Sequence, residues 1–371
     1  MKILMVTPRY FPYLGGIETH VHEVGQRLVK YGMDITLLTT QPHAPYLLQP
    51  DHEVVAGMQV VRVPAWPPQR DYYIAPKIIQ IIRRGAWDVI HCQGCHTFVP
   101  LLTMWAARTA DKPYIVTFHT GGHSSFLRNR LRTLQWRLLC PFFARASRLI
   151  GVSQFEANYF CTLLHLPPER FSVVPNGATI PLVEQAYMPE QPLIVSVGRL
   201  ERYKGHHRLI TALPYVQRKY PGAQLLILGQ GPYEASLRTW ARASGVQHAV
   251  EIRVLEARDR MQMARVLGQA SVVALLSAYE SHPIAILEAV ALRRPVLVAN
   301  TSGLTELVEQ KLVCAIPFVS TPVQIAHAII QQIEQPYVPP ASYCLPTWDD
   351  CASQLQDIYQ MTNNRSKACG F

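Results

Sequence analysis

Arg199 and Lys204 stand in GRLERYKG, residues 198–205, directly after an apolar run. Two cations framed by glycines at the end of a strand suit a diphosphate. The guanidinium binds oxygens in pairs and the ammonium adds a point charge. Glu280 and Glu288 form an E-x7-E pattern around Ser281, Pro283 and Ile284. Pro283 stands where a helix would begin, with Ser281 near its cap, and the start of that helix is an anion site in its own right. Glu288 would lie near the middle of the helix, among Ile284, Ile286, Leu287 and Val290. Helical glutamates commonly form a solvated face, and these apolar neighbours favour a functional carboxylate instead.

Three further positions are weaker alone. Gly15-Gly16 lies between an apolar strand and an amphipathic helix, where glycine lets an anion approach the free N–H groups. A mere turn accounts for it equally well, and no G-x-G-x-x-G follows this strand. Gly229, in GQGP, allows close backbone approach or simply makes a tight strand–helix turn. His119, in TFHTGGH, ends a strand beside two glycines, a fair place for a site histidine. His123 lies close by.

The elements that must position these residues alternate. Residues 2–7 read as a strand, 17–31 as a helix stopped by Gly32, and 33–39 as the next strand. Strands follow at 87–91, 113–119, 148–152 and 171–175. The Pro-rich span 181–192 reads as a linker. Strands at 193–197, 224–228, 271–276 and 295–299 then alternate with helices at 206–218, 233–243 and 283–292, and residues 348–359 have helical spacing. Two α/β domains follow, each with a parallel sheet, and a cleft is expected between the carboxyl ends of the two sheets.

Composition excludes several classes. Hydrophobic residues make up 49% of the 371, enough for two cores. The first residues are too short an apolar run for a signal peptide, and no run is long enough to span a bilayer. A cytoplasmic protein with reduced thiols is expected from its eight cysteines. Cys92, Cys95 and His96 match a haem-attachment pattern, but they continue a buried strand and lack an export signal. His20/His22, His119/His123 and His206/His207 have no metal-ligand spacing with Cys or carboxylate partners. The net charge is +10, and residues 112–155 hold seven basic side chains and no acid. Such a field suits an anionic partner, although no basic recognition motif supports nucleic acid.

Taken together, six segments resemble the retaining GT-B-fold glycosyltransferases of family 4, also called group 1. They are GGIETHV (15–21), VTFHT (116–120), GRLERYKG (198–205), LGQGP (228–232), ESHPIAILEA (280–289) and SGLTELV (302–308). Order and spacing agree over about residues 1–360. The resemblance implies two Rossmann-like domains, an acceptor-side domain at 1–182 and a donor domain at 183–345. A C-terminal helix and tail at 346–371 would return to the first domain.

The resemblance also implies roles. Gly15 and Gly16 would bring backbone amides to the donor diphosphate. Arg199 and Lys204 would neutralise it as it leaves. Glu280 would hold the transferred sugar, Glu288 would accept from the ribose hydroxyls, and Gly229, Pro283 and Ile284 would complete the donor site. His119 would lie beside the reacting centre, so that His119, Glu280, Arg199 and Lys204 form the catalytic set. The implied reaction moves a sugar from a nucleotide diphosphate sugar to a lipid-linked or glycan acceptor, with retention, without metal and without any cofactor. There is no D-x-D; Asp51-His52-Glu53 is the nearest pattern and reads as polar loop. His282 stands where the family often has Phe, and Arg293 where it usually has Gly, so base and sugar stay open. The alternatives are a non-catalytic nucleotide-sugar binder and a sugar-nucleotide epimerase on the same fold.

Residues 126–139 read as a helix with Leu127, Leu131, Leu134 and Leu138 on one stripe, flanked by Arg128, Arg130, Arg132 and Arg137. Such a stripe can lie on an anionic membrane at 126–148 or pack on the sheet, because both share one periodicity.

Overall fold

The computed structural model describes residues 1–13, 15–42, 47–67, 73–95, 97–120, 126–181, 189–256, 259–340 and 343–368, with side chains left out at 126–130 and 367–368. The chain forms two compact units. One comprises Met1–Thr120, Leu127–Gly177 and Pro346–Phe371, and the other contains Ala178–Leu345. The expected linker core, 182–188, lies outside the described residues.

The first unit holds eight strands: β1 (Lys2–Val6), β2 (Asp34–Thr40), β3 (His52–Val55), β4 (Met58–Val63), β5 (Val89–Gln93), β6 (Tyr114–Thr117), β7 (Arg148–Gly151) and β8 (Phe171–Val173). Their order is β3-β4-β2-β1-β5-β6-β7-β8. All pairs are parallel except the hairpin β3–β4. The inner strands are buried along almost their whole length because helices cover both faces of a parallel sheet. The strand order reverses between β1 and β5, so the loops after these strands open a crevice at the carboxyl edge.

Asp51-His52-Glu53 is a correction: His52 and Glu53 belong to edge strand β3. Glu53 Oε1 sits 2.6 Å from the guanidinium of buried Arg62. The segment reads as loop because an edge strand keeps one side polar.

The second unit holds β9 (Leu193–Val197), β10 (Gln224–Leu228), β11 (Val250–Arg253), β12 (Val272–Leu275), β13 (Val296–Asn300) and β14 (Cys314–Pro317). The order is β11-β10-β9-β12-β13-β14, parallel throughout. Side chains alternate between two cores as the pleat requires. Ile194, Leu225, Ile227, Ala274 and Leu297 enter one. Val195, Leu226, Leu228, Val273, Leu275 and Val298 enter the other. The switch point lies between β9 and β12.

The C-terminal helix, Trp348–Ala368, belongs to the first unit, as the resemblance implied. Trp348 is fully buried against His20, with ring centroids 5.8 Å apart. It also presses on Gly177, where a Cβ would meet the Trp348 amide nitrogen at 2.3 Å. Asp349 anchors the helix outside, 3.2 Å from Arg27 Nε.

Candidate active site

In the second unit the expected residues leave the carboxyl ends of β9, β10 and β12. After β9 the chain makes one 3-10 turn, Arg202–Lys204, and closes it with Gly205 at φ 76°. Glycine is required there, since a Cβ would stand 2.2 Å from the Leu276 carbonyl oxygen. This turn sends Lys204 inward, and its Nζ donates to Glu280 Oε1 at 2.6 Å. Burial pulls the Lys204 ammonium down, but the Glu280 carboxylate beside it outweighs that, and its pKa ends above the usual lysine value. Arg199 is half-exposed, and its Nη2 lies 3.5 Å from Glu201 Oε1.

Gly229 allows close approach of two backbones. A Cβ there would stand 2.0 Å from the Gly198 carbonyl oxygen, so it lets the ends of β9 and β10 close on each other. The Glu280 amide donates to Ser302 Oγ at 2.8 Å, and its carbonyl accepts from the Gly303 amide at 2.9 Å. A Cβ on Gly303 would meet Ser281 O at 2.0 Å. The SGLTE segment therefore supports Glu280 from behind.

Pro283 is the cap residue, not the first helical one, of the helix Ile284–Ala291. No side chain caps this helix start, which follows the loop that carries Glu280. Glu288 is 1% exposed and ion-paired with Arg260, a residue that sequence reasoning passed over. Arg260 begins a different helix, Arg260–Gly268, and nothing in the local spacing links it to Glu288.

In the first unit, Gly15 and Gly16 open the helix Gly16–Lys30 after β1, and no side chain caps that helix either. The backbone at Gly15 is extended, and the Glu18 carboxylate lies 2.3 Å from where a Cβ would stand. His119 lies two residues beyond β6, buried, at φ 47°. Its ring meets His20 edge-on at 4.5 Å. His20 Nδ1 lies 2.9 Å from Asn176 Oδ1, and burial pulls its pKa to about 4 against that hydrogen bond. His20 is therefore neutral at physiological pH.

Two buried partners of this loop were missed. Gln93, at the end of β5, places Oε1 2.7 Å from His119 Nε2. Glu156 Oε1 accepts from both the amide and the hydroxyl of Thr120, at 2.6 and 2.5 Å. Its other oxygen accepts from the Val152 amide at 2.9 Å. An acid in S-x-x-E after Ser153 was the available signal, and it reads as an ordinary helix start.

Cys92 and Cys95 are fully buried, and burial pushes both thiols up. They pack as apolar side chains. His96 and His123 lie outside the described residues. Among those described, no three His, Cys, Asp or Glu side chains group as metal ligands.

Two family models match end to end. Glycosyltransferase Family 4 covers residues 14–180, and Glycosyl transferases group 1 covers residues 184–342. The chain belongs to the group 1 glycosyltransferases. The first match takes in Gly15, Gly16 and His119, and the second takes in every candidate residue of the second unit. Among relatives of this glycosyltransferase, a glycogen synthase of Mycobacterium tuberculosis is 28% identical over 336 residues, covering 83% of this chain and 80% of the relative. The GDP-mannose:cellobiosyl-diphosphopolyprenol alpha-mannosyltransferase of Komagataeibacter xylinus is 24% identical over 317 residues, 84% of this chain and 78% of its own. In fold, the glycosyltransferase is similar to the sucrose-phosphate synthase of Thermosynechococcus elongatus, with a TM-score of 0.77 at 19% identity over 97% of this chain and 98% of that one.

Proposed function

We propose that this glycosyltransferase moves a sugar from a nucleotide diphosphate sugar to an acceptor hydroxyl, with retention and without a metal ion. The observation that carries the reading is the buried Lys204–Glu280 pair, set between a strand end and an uncapped helix start. In the transfer, the bond from the anomeric carbon to the diphosphate breaks, and its electron pair stays with the phosphate oxygen. The acceptor oxygen forms the new bond, and its proton passes to the departing phosphate. Lys204 and Arg199 supply positive charge where negative charge grows. Glu280 holds Lys204 in place and accepts from the sugar hydroxyls. Glu288 accepts from the ribose, the amides at Gly15 and Gly16 face the diphosphate, and His119 stands by the transferred sugar. Retention, attack on the same face and the absence of a metal rest on the family resemblance.

The acceptor is lipid-linked in this reading, and the enzyme works at the cytoplasmic surface of an anionic membrane. Its support lies in the helix Phe126–Leu138. Leu131, Leu134 and Leu138 are 54%, 54% and 69% exposed, while Trp136 and Leu139 are buried in their place. Arg137 is exposed beside them. The side chains of Leu127, Arg128 and Arg130 lie outside those described. A leucine face with basic neighbours matches an anionic headgroup layer. The relative with a diphosphopolyprenol acceptor points the same way. Among the described residues no helix is long and apolar enough to cross a membrane.

A donor screen by released nucleotide diphosphate, with and without lipid extract, tests the reaction. One donor should be consumed faster when the extract is present, and no release from any donor would overturn the reading. Sedimentation with vesicles tests the surface. Binding should rise with anionic lipid, fall with salt and drop in Leu134→Glu and Arg137→Gln. Equal sedimentation with neutral and anionic vesicles would make a soluble acceptor the better assignment.

A further inference from the structure

Behind His119 runs a line of buried side chains to which the resemblance assigns nothing. Gln93 is fully buried, and its Oε1 lies 2.7 Å from His119 Nε2. An amide oxygen only accepts, so this bond puts the ring proton on Nε2 and makes Nδ1 the acceptor nitrogen of the neutral ring. The Gln93 amide nitrogen rests against His91, 3.2 Å from Nδ1 and 3.3 Å from Nε2. His91 is held at both nitrogens, by Tyr359 Oη at 2.6 Å and Thr117 Oγ1 at 2.7 Å. Burial drives the pKa of His91 well below the usual histidine value and raises that of the Tyr359 phenol, so both stay uncharged. The line therefore starts on the C-terminal helix and crosses β5 to the loop after β6, with the Gln93 amide nitrogen packed against a His91 ring whose two nitrogens are engaged by Tyr359 and Thr117.

We propose that Gln93 is the positioning residue of His119. It selects the Nε2–H form of the imidazole and fixes the plane of the ring, and the buried His91 ring packed against the amide confines the Gln93 side chain. The backbone completes the restraint, since His119 sits in the left-handed region and Thr120 is tied to Glu156. With its Nε2–H given to Gln93, the ring has one tautomer and one plane, and small displacements of a group beside a reacting centre cost rate steeply. This inference rests on the reading that His119 acts on the transferred sugar.

The test combines nitrogen NMR of the ¹⁵N-histidine-labelled full chain with transfer kinetics of Gln93→Leu, Gln93→Glu and His119→Ala. At alkaline pH the Nε2 of His119 should carry the proton, and Gln93→Leu should mix the two tautomers. Turnover in Gln93→Leu should fall roughly 10–100-fold, the scale of a misplaced reacting group, with the donor KM nearly unchanged. Gln93→Glu, which keeps an acceptor oxygen, should recover most of that turnover. A wild-type His119 protonated on Nδ1 would overturn the inference, even if Gln93→Leu did not fold. So would a folded Gln93→Leu with wild-type turnover, while His119→Ala was inactive. A fully active His119→Ala would instead remove the role of His119 itself.

Discussion

Lys204 and Glu280 lie 76 positions apart in sequence, and their side chains meet at 2.6 Å with 14% and 9% of their surfaces exposed. A buried cation held this way is preorganised, whereas Arg199 is half-exposed and more loosely paired. Lys204→Ala should therefore lower kcat by about 10²–10³, the scale of one lost preorganised donor. Arg199→Ala should cost less. Steady-state kinetics on both variants, with circular dichroism to check folding, decides, and equal losses would show that burial adds nothing to the lysine.

Glu288 is buried beside Arg260, so its carboxylate is held in place before any ligand arrives. Glu288→Gln should weaken binding of the nucleotide diphosphate about tenfold or more, as expected for a lost hydrogen bond to a charged group. Acceptor affinity should not change. Calorimetry that finds the same nucleotide affinity would leave Glu288 as no more than the partner of Arg260.

Acid should destabilise the fold through buried histidines. His20 and His206 have pKa values pulled from 6.5 to about 4, first by burial; Asn176 opposes this at His20, and the Lys204 charge adds to it at His206. The unfolded chain therefore takes up protons before the folded one, and stability falls as pH drops from 6.5 toward 4. Each ring contributes on the order of 3 kcal/mol across that window. Urea midpoints measured across it should fall, and less steeply in His20→Gln. A flat profile would contradict the assignment.

Transfer should survive a chelator. In the proposed reading, Lys204, Arg199 and the uncapped start of the helix Ile284–Ala291 supply the positive charge that a divalent ion would otherwise bring to the diphosphate. Loss of activity in EDTA, restored by Mg²⁺ or Mn²⁺, would overturn this.

Much of the fold was legible along the chain because it is locally encoded. The strand after Met1, the Gly15-Gly16 turn and the helix behind it are a βαβ opening written in neighbouring residues, and the same logic recovered β9, β10 and β12. Edge strand β3 was not legible, because a strand with one wet face and an ion pair to Arg62 has the composition of a loop. The leucines of residues 131–138 carry the same period whether they face a core or solvent, and only the burial of Trp136 and Leu139 told the two apart.

For the site, residue types and spacing along the chain picked out side chains suited to a diphosphate, since glycines and cations are local patterns tied to strand ends and helix starts, and the sugar roles came from the family resemblance. Only the tertiary structure decided which partner each one has. Lys204 meets Glu280 because β9 and β12 are neighbours in the sheet, Glu288 meets Arg260 because their two helices pack together, and His119 meets Gln93 because β5 and β6 pair. Periodicity reports the face a residue presents within its own element, and it holds no information about what the neighbouring element brings to that face.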